Sequence, residues 1–292
     1  MTTCVRIFGI EAIDADTLAK ANSVVGETPR CQLPNVLTYW LEHCGERKKH
    51  SIDAFCRRHG LDHAVLSSTF ELSHYRLLAL DMDSTLISME CIDELAEIAG
   101  VAKQVRALTA AAVRGEAIDY SKSLRARVRM LRGLKQRELE CFLGERVTLT
   151  PGAVSLVSRA REMGLKTLIV SGGFQFVADH VGHLLGIDEM VAHALEINNG
   201  ELTGRLKGDV INSDEKVRIV NQFCQRFGIA PSQTIAVGDG ANDIGMVRFA
   251  GLGVGFRAKP ALREVCSVKL DVSGLDGLLH VLGAGISFEK VR

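Results

Sequence analysis

The apolar run Leu77-Leu78-Ala79-Leu80 passes directly into Asp81-Met82-Asp83-Ser84-Thr85. A short, continuous aliphatic run bounded by polar residues reads as a strand buried on both faces, the form strands take in a parallel sheet. Open α/β sheets bind ligands beyond the carboxyl ends of their strands. Two carboxylates at such an end stand where chemistry is done, and a chain just leaving the strand can aim one as nucleophile and the other as proton carrier. The plainer reading is a charged strand terminus followed by a Ser/Thr helix cap. What stands at the ends of the other strands decides between them.

Two further apolar runs end in polar clusters. Thr167-Leu168-Ile169-Val170 leads into Ser171-Gly172-Gly173, and Thr234-Ile235-Ala236-Val237 into Gly238-Asp239-Gly240-Ala241-Asn242-Asp243. Helical patterns over 174–185, 213–227 and 243–250 alternate with these runs and with a short strand over 253–256. Such alternation predicts an α/β fold with a doubly wound parallel sheet whose strand ends converge on one crevice. Residues 194–207, with Asn198-Asn199-Gly200 between apolar positions, predict a β-hairpin off that pattern. Helical stretches at 91–99, 102–114, 120–131 and 136–143, punctuated by Gly100, Gly115 and Gly133, predict a helical cap inserted at about 88–150. These glycines, with links near Ser88 and Pro151, predict a cap that opens and closes. Residues 1–73 read as a small N-terminal α/β segment of unassigned role, with strands over 5–8 and 64–66 and helices over 16–25, 35–43 and 51–59. The main domain is then 74–292.

Composition removes several classes of function. Thirty-five Lys and Arg balance 35 Asp and Glu, so there is no bulk electrostatic case for nucleic acid or an anionic membrane. The eight cysteines include no C-x-x-C pair and no zinc spacing, which predicts reduced thiols in a cytoplasmic protein. The chain opens on no basic leader with an apolar stretch, and no apolar run reaches membrane-spanning length. Dinucleotide G-x-G-x-x-G, Walker and G-x-S-x-G patterns are all missing. His180 and His183 share a helix face without a third ligand and read as surface residues.

Asp81, Asp83, Asp239 and Asp243 at one sheet edge would repel, and burying them unneutralised is costly. A hard divalent cation with oxygen ligands relieves that cost, and magnesium suits few carboxylates plus substrate phosphate and water. No D-x-[DN]-x-[DN]-G calcium loop occurs. Ser171-Gly172-Gly173 lets backbone N–H groups approach an anion, although the same tripeptide also makes a plain strand-to-helix turn. Lys216, in the first turns of its helix, opposes the helix dipole unless it balances carboxylates and phosphate.

Together, Asp81-Met82-Asp83-Ser84-Thr85, Ser171-Gly172-Gly173, Lys216 and the 238–243 segment resemble the four motifs of the haloacid dehalogenase superfamily of phosphotransferases. Met89-Glu90-Cys91-Ile92-Asp93-Glu94-Leu95-Ala96, Ser123-Leu124-Arg125-Ala126-Arg127-Val128 and Val170-Ser171-Gly172-Gly173-Phe174 are similar to its phosphoserine phosphatase branch, over about residues 74–285. The resemblance implies magnesium-dependent hydrolysis of O-phosphoserine, a small-molecule substrate, through an aspartyl phosphate, as the last step of serine biosynthesis. It implies Asp81 as nucleophile and Asp83 as general acid and base. It puts magnesium on Asp81, Asp239 and the backbone carbonyl of Asp83, with Asp243 in support. Ser171, Gly172 and Lys216 would bind the phosphoryl group and Asn242 would orient it. Glu90 would meet the substrate ammonium and Arg127 its carboxylate, although on the residues alone both read as helix-surface charges. Tyr120 stands where the family often has phenylalanine. Two other readings stay open: hydrolysis or transfer from another small phosphomonoester, and a signalling module in which a phosphorylated Asp81 is a switch. Asp83 and the cap argue against the switch.

Overall fold

The computed structural model describes residues 2–67, 72–113 and 120–283. The opening segment runs β1 (Thr3–Phe8), α1 (Ala15–Val25), β2 (Cys31–Leu33), β3 (Val36–Leu41), α2 (Glu46–His59) and β4 (Asp62–Ser67). After it come β5 (Leu77–Leu80) and four cap helices, α3 (Cys91–Ile98), α4 (Ala102–Val113), α5 (Tyr120–Met130) and α6 (Gln136–Glu145). The chain then continues through α7 (Ala153–Glu162), β6 (Lys166–Phe174), α8 (Gln175–Leu185), β7 (Glu189–Asn198), β8 (Glu201–Lys207) and α9 (Ser213–Phe227). It closes with β9 (Thr234–Gly238), α10 (Ile244–Phe249), β10 (Leu252–Phe256), α11 (Pro260–Arg263), β11 (Val268–Leu270) and α12 (Gly277–Leu282).

Among the described residues all strands join one sheet, ordered β2-β3-β1-β4-β11-β10-β9-β5-β6-β7-β8. From β11 to β7 every pairing is parallel. The central strand β5 is wholly buried, and its two-residue period divides it between layers. Leu78 and Leu80 join the cluster containing Leu156 and Val181, while Leu77 and Ala79 join Val220 and Phe223 on the other face. Each such leucine contributes roughly 2 kcal/mol by leaving water. From β5 the chain moves to β6 on one side and returns to β9 on the other. The sheet therefore reverses its winding between β5 and β9, where Asp81 and Asp239 emerge at adjacent carboxyl ends.

β6 does not stop at Val170. It pairs Val170 with Val191 and Phe174 with His193, so Ser171-Gly172-Gly173 bulges out of the ladder. The helix α8 starts only at Gln175, so the tripeptide is a strand bulge and not the helix's first turn. The cap leaves and rejoins the core through a two-chain stem, in which Ile87 pairs with Leu149 and the Thr150 N–H donates to Leu86 O at 2.9 Å. The hairpin turns at Asn199 and Gly200, both with positive φ (50° and 78°), as a tight two-residue connection requires. It leans on the cap, where Leu202 exchanges backbone hydrogen bonds with Gly133 and Leu134 at 2.9 and 2.8 Å.

The opening segment departs from expectation at 35–43, which is the strand β3 and not a helix. Val36-Leu37-Thr38-Tyr39-Trp40-Leu41 is rich in β-branched and aromatic residues and pairs antiparallel with β1 along its whole length. The helix expected over 51–59 starts earlier, at Glu46. Together these elements make a β-α-β-β-α-β sandwich of ferredoxin-like order, β2-β3-β1-β4. Its β4 pairs antiparallel with β11 (Ala64 to Val268, His63 to Lys269), which carries the sheet from one unit into the other. Arg114 and Gly115 lie outside the described residues.

Candidate active site

Asp81 follows β5 immediately, with its N–H donating to Val237 O at 2.9 Å. Lys216, on the first turns of α9, is fully buried and donates to Asp81 Oδ1 at 2.7 Å and Asp243 Oδ1 at 2.6 Å. The other oxygen of Asp243 accepts from the N–H groups of Asp239 (3.2 Å) and Gly240 (3.0 Å), so this carboxylate accepts three hydrogen bonds from the protein. Burial pulls the Lys216 ammonium down, but Asp243 and Asp81 outweigh it and the lysine is raised and charged. Burial, with Asp243 beside it, pushes the Asp81 carboxyl up, while Lys216 pulls it back. Carboxylate oxygens of Asp81, Asp239 and Asp243 all lie within 4.8 Å of one another.

Asp83 meets different surroundings. The turn Met82–Leu86 lifts the chain off the sheet, with Ser84 at φ 56°, an uncommon conformation for a residue with a Cβ. The turn brings Asp83 under the start of α3, where Cys91 donates its thiol at 2.9 Å and its N–H at 3.3 Å. Burial and the nearby Glu90 carboxylate push Asp83 up to about 7. Ser84 Oγ in turn donates to Glu90 Oε1 at 2.8 Å.

These groups surround a cavity of about 130 Å³. Asp81, Asp83, Glu90, Arg127, Ser171, Gly172, Asp239 and Asn242 all line it, with Tyr120. Lys216 and Asp243 belong to the buried layer that grips Asp81. Ser171 Oγ accepts the N–H of Gly173 at 2.9 Å, which folds the bulge back on itself. At Gly172 a Cβ would stand 2.8 Å from the Tyr120 hydroxyl, so the cap comes close to the bulge and a larger residue would displace Tyr120. The Arg127 Nε is buried with no hydrogen-bond partner among the described residues, on a side chain that lines the cavity.

Residues 78–248 match the family of haloacid dehalogenase-like hydrolases. The chain belongs to that family. It is 47% identical over 214 residues to the phosphoserine phosphatase of Albidiferax ferrireducens, a match that covers 72% of this chain and 90% of the relative. Among solved structures, a haloacid dehalogenase-family hydrolase from Salmonella enterica is 25% identical with a TM-score of 0.87, covering 98% of this chain and 99% of the other. A probable phosphoserine phosphatase from Vibrio cholerae, in unliganded form, is 30% identical with a TM-score of 0.81, covering 96% and 86%. Both structural matches are too extensive to omit the opening segment, so these hydrolases share it along with the catalytic fold.

Two contacts of this hydrolase's site escape sequence reasoning. Lys259 places Nζ 2.9 Å from Asp239 Oδ2 and 4.0 Å from Glu90 Oε1. It follows β10 closely, so the strand-end rule that singled out Asp81 and Asp239 would also have found it. Cys91 stands out in the sequence only as part of a motif, because no spacing rule links a thiol to a carboxylate eight residues earlier.

Proposed function

We propose that this chain hydrolyses O-phosphoserine to serine and inorganic phosphate, with magnesium, through an aspartyl phosphate on Asp81. The observation that carries the reading is the pair of unlike carboxylates: Asp81 is held by a buried, charged Lys216, while Asp83 is held near the pH at which it can give and take a proton. In the first displacement an Asp81 oxygen bonds to phosphorus as the bond to the serine oxygen breaks, and Asp83 protonates that leaving oxygen. In the second, Asp83 takes a proton from water, whose oxygen attacks phosphorus and frees Asp81 and phosphate. The Ser171 hydroxyl, Gly172 N–H, Lys216 and Asn242 hold the phosphoryl oxygens. At the other end Glu90 takes the ammonium and Arg127 the carboxylate, which a guanidinium grips with two parallel hydrogen bonds.

The donor set suits magnesium. It consists of oxygens only, and the carboxylates outnumber the lysines that face them. Asp243 already engages Lys216 and two backbone N–H groups, so Asp81, Asp239 and the backbone carbonyl of Asp83 would hold the ion and Asp243 would support them. A bound divalent ion would neutralise the phosphoryl oxygens and favour ionised Asp81. All eight cysteines are free, which supports a reducing, cytoplasmic setting, and no helix among the described residues is long and apolar enough to cross a membrane. On this reading 74–292 is the catalytic domain, 88–150 its cap, and 1–73 a module that covers the sheet edge at β11.

The test is a panel of small phosphomonoesters assayed with magnesium and with a chelator. O-phosphoserine should lead by kcat/KM and turnover should vanish on chelation. Another ester in the lead would overturn the substrate, and faster transfer to an added alcohol than to water would make the chain a transferase.

A further inference from the structure

His193 is a buried residue of β7 that the proposed chemistry does not use, yet it touches two parts of the phosphoryl site. Its Nδ1 lies 3.0 Å from Gly172 O and 3.2 Å from Gly173 O. Its Nε2 lies 2.7 Å from the backbone nitrogen of Ile211. An amide N–H can only donate and a carbonyl can only accept, so the ring has one consistent state: neutral, with its proton on Nδ1 and a bare Nε2. The β6 bulge explains why a side chain is needed. Between Val170 and Phe174 the register to β7 shifts, so the ladder is irregular where the two glycine carbonyls meet the imidazole. Gln175 repairs the same gap on the other strand, accepting from Ala192 N at 2.7 Å and donating to Met190 O at 3.1 Å. Ile211 leads into Asn212, the cap of α9, whose first turns carry Lys216.

We infer that His193 is a positioning residue that ties the Ser171-Gly172-Gly173 bulge to the entry of the Lys216 helix and so sets the spacing of the phosphoryl clamp. This rests on the reading that the bulge and Lys216 bind the phosphoryl group. Without the imidazole, the two walls of the clamp are no longer joined. Glu90 keeps Ser84 and Asp239 keeps Lys259, so the loss falls chiefly on the phosphoryl end, where Lys216 also holds Asp81.

His193→Leu removes both hydrogen bonds, while His193→Asn restores a donor and an acceptor on a shorter side chain. The expected result for His193→Leu is a fall in kcat/KM on the order of 100-fold, the effect of small misplacements on a reacting group, with weaker binding of inorganic phosphate and a smaller change in the Kd for Mg²⁺. His193→Asn should recover most of both losses. Equal phosphate affinity and turnover in folded His193→Leu would overturn the inference, as would His193→Asn being no better than His193→Leu. If His193→Leu does not fold, ¹⁵N spectra of the wild-type imidazole decide: a proton on Nδ1 supports the strut and a proton on Nε2 refutes it. Failure of the wild type itself to bind phosphate would instead sink the functional reading.

Discussion

Asp81 and Asp83 are two residues apart, both raised by burial, and meet different partners. Asp81 faces the Lys216 ammonium, while Asp83 is enclosed with Glu90 nearby and only neutral donors on its oxygens. Asp81→Asn should abolish turnover while leaving the thermal melt close to wild type, because the site holds more carboxylates than lysines; turnover comparable to wild type would exclude Asp81 as nucleophile. Asp83→Asn should lower kcat by about 10²–10⁴-fold, the usual worth of a positioned acid and base. Ser84 acts one step away, by holding Glu90. Ser84→Ala should cost about 1 kcal/mol of substrate binding, read as roughly a fivefold rise in KM with kcat nearly unchanged. A fall in kcat alone would mean that Glu90 does not meet the ground-state substrate.

At the scale of elements, the cap is anchored twice, by its stem and by the β7–β8 hairpin. Gly204 of β8 shows how close the second contact is. Its φ is 77°, and a Cβ there would stand 2.9 Å from Arg129 O and 3.1 Å from Arg129 Cα on α5. Gly204→Ala should therefore push away the helix that carries Arg127. We expect KM to rise more than kcat falls, with a stability loss of about 1–2 kcal/mol from the strained φ and the overlap. Unaltered KM with a lowered melting temperature would separate the hairpin from substrate binding.

Across the whole molecule, polar groups add to a shared apolar core in joining the opening segment to the rest of the chain. Buried Asp62 accepts from the N–H groups of Asp271, Val272 and Ser273 at 2.6, 2.9 and 2.9 Å. Arg263 bridges Asp53 on α2 and Asp271 after β11, each at 2.6 Å. His63 is buried in this junction beside Lys269, Arg263 and Asp53. Burial, then the Lys269 charge, lowers it to about 3 although Asp53 pulls the other way. The unfolded chain takes up a proton near pH 6.5 that the folded junction refuses until about pH 3. Stability from neutral His63 is therefore complete above about pH 6.5 and falls as pH drops, by up to about 1.4 kcal/mol per unit. Melting curves between pH 7 and 4 should show a shallower acid loss in His63→Gln than in wild type; parallel curves would refute this role.

The local sequence by itself determined the strand-end acids, the Ser171-Gly172-Gly173 cluster, Lys216 and the alternation that winds the sheet. A buried parallel strand is written as an apolar run and a ligand-bearing end as an abrupt polar switch, so both survive without knowledge of neighbours. Tertiary structure alone decided the rest. Val36–Leu41 is apolar enough for a helix or a strand, and pairing with β1 selects the strand. The continuity of the sheet through β4 and β11, and the Arg263 bridge to Asp53, join residues about two hundred positions apart. His193 reads as one more histidine in a strand until the fold sets its Nδ1 against two carbonyls of the bulge. Backbone polar groups must be satisfied wherever the chain brings them, and which side chain does so depends on the fold's geometry rather than on any local pattern.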